Sequence, residues 1–106
     1  MNLNRDSILE FNDAFFALQT QLGSGKVAID FNRLRKLVRS DTDSAYACVQ
    51  LYRKLAETKR EHFGNALIIA RAYELETGDM GLVAELRPLA EALGAMDLFR
   101  AALEMG

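Results

Sequence analysis

Cysteine, histidine and proline each occur once in this chain of 106 residues. Each scarcity closes a route. A lone cysteine, Cys48, has no partner for an internal disulfide, so a reducing compartment is expected. One proline and seven glycines leave little material for the many turns of an all-β fold. A lone histidine, His62, cannot build the dimetal centre of a helical bundle, which needs a Glu-x-x-His pair on more than one helix. Here Lys59 stands three positions before it. No uncharged apolar run approaches the roughly 20 residues of a membrane-spanning helix. The start, Met1 to Phe11, has neither the basic beginning nor the long apolar stretch of a signal peptide. A soluble cytoplasmic protein without membrane association is the expectation.

What is present is helix-forming material. Half the residues are apolar and 26% are charged, a globular balance that argues against intrinsic disorder. Ala, Leu, Glu, Arg and Lys predominate, and these lose little rotamer freedom in a helix. The net charge of −2 hides an asymmetry: residues 1–62 hold ten Lys/Arg against eight Asp/Glu, whereas residues 63–106 hold three against seven. A bipolar chain can steer a partner, or a second copy of itself, by charge. It lacks the overall basicity of a dedicated nucleic-acid binder.

The spacing predicts a single all-α domain over 1–106, a bundle of five to six helices in antiparallel hairpins. Ile8, Phe11, Phe15, Leu18 and Leu22 recur three and four apart, with Leu9 and Phe16 widening the stripe, which predicts a first helix over 7–22. Ser7 and Glu10 fit a capping box at its start. Asp30 is placed to cap a second helix over 30–39, and the Ser40–Ser44 turn to cap a third over 43–62. Cys48, Leu51, Tyr52 and Leu55 make the third helix's apolar face. Gly64-Asn65 is read as the break before a central fourth helix over 65–77. The alternative is one unbroken helix of about 33 residues, about 50 Å long. Helices over 80–93, kinked at Pro88, and 96–105 complete the set, with Gly78 and Gly94 as stops.

The last forty residues alternate helix with two-residue turns and carry small alanines at 70, 72, 84, 90 and 92. In this they resemble tetratricopeptide-type helix hairpins, which implies antiparallel packing of the C-terminal half. Tyr73 and Gly78-Asp79 depart from that repeat's consensus spacing, and no 34-residue self-similarity accompanies the pattern. Gly23 to Lys26, GSGK, is similar to the end of a phosphate-binding loop. Thr20 and Val27 stand where that motif needs Gly and Ser/Thr, so a plain turn is expected. His62 is similar in setting to the exposed histidine of phosphotransfer domains. Phe63 follows it directly, and Asn65 stands where that family has lysine. A cap at the third helix's C-terminus is the expected role.

No catalytic, metal or cofactor constellation is expected, and the chain is read as non-enzymatic. The helical neighbours of Cys48 (Ser44, Ala45, Leu51, Tyr52) supply no activating base, so a buried structural thiol is expected. The favoured function is protein–protein interaction, as a self-associating adaptor, small chaperone or regulatory subunit. Its candidate interface is Leu9, Phe11, Phe15, Phe16, Met80 and Met96, aromatic anchors and adaptable methionines. A second alternative is a histidine phosphotransfer-like protein acting through His62, and the first is a helix-turn-helix over 31–56. There Arg33, Arg35, Lys36, Arg39, Arg53 and Lys54 would contact phosphates of a nucleic acid, against the repulsion of Asp41 and Asp43.

Overall fold

The computed structural model describes residues 5–21 and 27–105. Among them the chain forms α1 (Arg5–Leu18), β1 (Gln19–Gln21), β2 (Val27–Ile29), α2 (Phe31–Ser40), α3 (Thr42–Ala56), α4 (Glu61–Thr77), α5 (Leu82–Glu85), α6 (Arg87–Leu93) and α7 (Met96–Glu104). Six helices and one single-turn helix, α5, make a helical bundle. Its only extended structure among these residues is an antiparallel ribbon pairing Gln19 with Ile29 and Gln21 with Val27. The GSGK turn lies outside the described residues.

Caps account for the boundaries of α2, the start of α3 and the ends of α4 and α6. Asp30 accepts the Arg33 N–H at 3.3 Å and starts α2. Asp41 closes α2 through its own N–H to the Val38 carbonyl, and opens α3 by accepting from Ser44 N and Oγ at 3.1 and 2.7 Å. Gly78 and Gly94 end α4 and α6 with φ of 78° and 66°, left-handed conformations that glycine adopts without a Cβ clash.

Several boundaries differ from the sequence expectation. The first helix begins by Arg5, so Ser7 lies inside it and the capping box does not mark its start; it ends at Leu18, where the ribbon begins. The fifth expected helix is two, α5 and α6. Pro88 sits in the first turn of α6, where its missing N–H costs nothing. The largest correction concerns the middle of the chain. α3 stops at Ala56 and α4 starts at Glu61, so the break falls at 57–60 and Gly64-Asn65 lies within α4. Glu57 to Arg60 offers neither helix an apolar residue to bury, whereas Phe63, Ala66, Leu67 and Ala70 are buried at helical spacing. The longest axis of 34 Å could not hold the unbroken helix.

α4 is the central element and touches α2, α3, α5 and α7. α3 runs against α4, with Tyr52 over His62 near one end and Tyr46 beside Tyr73 near the other. α1 packs on the adjoining face of α3, so that Tyr52 touches both α1 and α4. The Cys48 thiol meets the Ile8 carbonyl at 3.7 Å, and the Tyr52 hydroxyl donates to Asn12. Both contacts join residues forty positions apart, so α1 and α3 rise in parallel.

Candidate protein interface

The six residues expected at an interface divide in the folded chain. Phe11 and Phe15 are core residues, closed off by α2 and α3 packing, and cannot meet a partner. Met96 is half-buried against the core. Leu9 and Phe16 are open, at 49% and 47% exposure, and Met80 stands at 57% in the turn before α5. Leu51 and Leu55, expected on the inner face of α3, are exposed at 44% and 38%. Ala45, Val49 and Ala56 take the inner positions instead.

Four of these open residues, Leu9, Phe16, Leu51 and Leu55, share a location. A helix turns about 100° per residue, so side chains can be ordered around each axis. Passing around α1 from its core side come Phe15, then Asn12 in contact with Tyr52, then exposed Arg5 at the helix start, then Phe16 and Leu9, then Asp13. Passing around α3 from its α4 side come Tyr46 beside Tyr73, then Val49 and Ala56, then Tyr52 and Cys48 against α1, then Leu55 and Leu51, then Lys54. Leu9, Phe16, Leu51 and Leu55 therefore border the α1–α3 seam from both sides on its outer surface. The rings of Phe15 and Tyr52 lie 5.6 and 6.5 Å from that of Phe16, the second edge-on, and hold it in place.

The seam beneath is chemically quiet. Burial, followed by the charge of Asp41, pushes the Cys48 thiol up to about 11, so it stays protonated at neutral pH and is a poor nucleophile. Burial pushes the Tyr52 phenol up to about 12 and keeps it a donor to Asn12. His62 does not cap α3. It lies in the first turn of α4, half-buried, its ring stacked 5.8 Å from that of Tyr52. Its Nδ1 is buried and has no hydrogen-bond partner among the described residues. Among those residues no three His, Cys, Asp or Glu side chains are grouped to hold a metal ion, and no helix is long and apolar enough to cross a membrane.

The basic residues are split and largely answered. Arg35 and Arg39 both reach Glu76 of α4, at 3.1 and 3.0 Å, and Lys36 shares their shallow depression. Arg33 pairs with Asp30 at 3.5 Å. Arg53 and Lys54 border a separate depression with Gln50 and Glu57. α3, the would-be recognition helix, is packed by α1 and α4, with Ser44 buried on Asp41 and Tyr46 against Tyr73. A helix held on two sides presents little to a groove.

Sequence reasoning did not single out Glu74, Glu76 or Arg71. Glu74 is 2% exposed; it accepts the Val83 N–H at 3.1 Å and Arg71 Nη1 at 3.4 Å, while Arg71 Nε donates to the Met105 carbonyl at 3.0 Å. The signal was there: Leu67, Ala70 and Glu74 fall three and four apart on one buried stripe, and a carboxylate at a core position implies a built-in partner. Comparison of the chain with protein-family models, with curated proteins and with solved structures finds no match.

Proposed function

We propose that this chain is a non-enzymatic helical interaction module that associates with a second copy of itself through the outer surface of the α1–α3 seam. The observation that carries this reading is the strip of Leu9, Phe16, Leu51 and Leu55, four large apolar side chains brought together from two helices and left open. Scattered exposed leucines are ordinary on a protein surface; a contiguous group is characteristic of a binding surface. Phe16 adds an aromatic ring already fixed by its neighbours, so binding costs it little conformational freedom. The adaptor, small-chaperone and regulatory roles all need such a surface, and all are compatible with it.

The test is self-association by light scattering and sedimentation up to about 500 µM, a range that captures weak dimers. The wild-type chain is expected to dimerise, and L9E/F16E to remain folded and monomeric. A wild-type chain that stays monomeric throughout, or a double variant that dimerises as well as wild type, would overturn the reading.

A further inference from the structure

We infer that the two copies pair in one specific way: side by side and parallel, with α1 of each chain against α3 of the other, and Asp13 of each chain facing Lys54 of the partner subunit. This rests on the reading of the α1–α3 seam as a self-association surface and adds its symmetry and the residues that select it.

On α1 the next residue around the helix beyond Leu9 is Asp13, exposed and acidic. On α3 the charged residue beyond Leu51 is Lys54, exposed and basic. Among the described residues neither forms an ion pair within the chain. At the level of Asp13 and Lys54, the α1 edge of the apolar strip thus carries a negative charge and the α3 edge a positive one, with Asp43 a further acidic group nearer the start of α3.

A closed dimer that buries the same strip on both chains needs a two-fold axis lying in the interface. Two orientations are available. With the axis across the helices, α1 meets the partner's α1 and α3 meets the partner's α3, so acidic rim faces acidic rim and basic faces basic. With the axis along the helices, α1 meets the partner's α3, and each acidic rim faces a basic one. Like-charge juxtaposition disfavours the first arrangement and complementarity favours the second.

The level of the residues agrees. The Ile8–Cys48 and Asn12–Tyr52 contacts set α1 and α3 in register at an offset of forty positions, which places Asp13 beside position 53 of its own α3. A two-fold axis along the helices leaves height unchanged, so Asp13 arrives level with the partner's Lys54, within one residue. The symmetry makes this contact twice. The result is two helix pairs stacked face to face, all four helices parallel, with Leu9, Phe16, Leu51 and Leu55 between them and two ion pairs at the edges. Two helices about 20 Å long, side by side, bury on the order of 1,000 Å² in total, at the low end of specific interfaces. A dissociation constant of about 10–100 µM is expected.

Charge reversal and cysteine pairing test the arrangement. Sedimentation of D13K and of K54E should show dimerisation weakened about tenfold by each, with D13K/K54E restored to near the wild-type value. In a C48A background, D13C/K54C should oxidise to a disulfide-linked dimer on a non-reducing gel, and C48A/D13C alone should not. If single reversals leave the dimer unchanged, or C48A/D13C alone cross-links, this pairing is wrong while the self-association surface stands. If the wild-type chain is monomeric throughout, the surface itself fails and the pairing with it.

Discussion

The C-terminal half of α4 and the α1–α3 seam solve opposite problems. In that half of α4, the carboxylates of Glu74 and Glu76 lie inside the protein and are answered within the chain. Glu74 joins α4 to the start of α5 through Val83, and its partner Arg71 joins α4 to the end of α7 through Met105. Two residues on, Glu76 faces the other way and ties α4 to α2 through Arg35 and Arg39. At the seam, apolar groups lie outside and have no cover. The physical penalties are unequal. A buried carboxylate without its partners destabilises the monomer by several kcal/mol, whereas an exposed leucine is nearly neutral to it. Buried polar groups therefore reveal what holds the chain together, and gathered exposed apolar groups reveal what it has left to bind.

The largest effect that would break this contrast is at Glu74. E74A removes the acceptor for a buried backbone N–H and leaves Arg71, itself only 16% exposed, short of its partner. A loss of about 3 kcal/mol is expected, seen as a fall in Tm of roughly 12 °C in thermal denaturation. A loss under about 1 kcal/mol would mean that water replaces the carboxylate easily and that the network does not hold α5 and α7.

Much of the frame was legible in the sequence because it is local. The Asp30 cap, the Gly78 and Gly94 stops and the alternating threes and fours of Ile8, Phe11, Phe15 and Leu18 each concern residues within about three turns of one another. The break between α3 and α4 was misplaced because a glycine is a strong punctuation mark on paper. In the folded chain the deciding feature is the want of anything to bury between Glu57 and Arg60, and Gly64 is tolerated inside a helix packed on several sides. The interface was half legible. A stripe holding Leu9, Phe11, Phe15 and Phe16 shows that α1 is apolar over a wide arc, yet which flank is covered depends on where α2 and α3 lie. Partners such as Arg35 and Glu76, forty-one positions apart, have no local signature at all.

A smaller effect sharpens the α4 side of the contrast through pH. The hydrogen bond from Arg39, reinforced by the charges of Arg39 and Arg35, holds the Glu76 carboxyl below its ordinary value of 4.5. A carboxyl whose folded pKa is depressed adds stability that is fully present above its unfolded value. That stability is lost as pH falls through the lower folded value. Wild-type stability should therefore drop as acid is added below pH 4.5, and E76Q should flatten that limb when urea midpoints are compared across the acid range. The neutral-pH loss in E76Q should be a fraction of that in E74A and shrink with salt, because Arg39 is largely exposed and screened. An unchanged acid limb would assign acid sensitivity to other carboxyls.

The smallest expected effect is the most discriminating for the seam. L51Q/L55Q removes two of the four strip leucine and phenylalanine side chains from α3 without touching Tyr52 or Cys48, which make the contacts to α1. If Leu51 and Leu55 serve only a partner, the monomer should not register the change. Urea unfolding at about 2 µM, well below the dimer's dissociation constant, should give a stability within about 0.5 kcal/mol of wild type. At high concentration the wild-type chain gains stability from dimerisation by mass action and the variant does not, so their midpoints should separate as concentration rises. A variant that loses more than about 1 kcal/mol at 2 µM would place these leucines in the α1–α3 packing itself, and the seam would then resemble α4, an interior surface that happens to reach the outside.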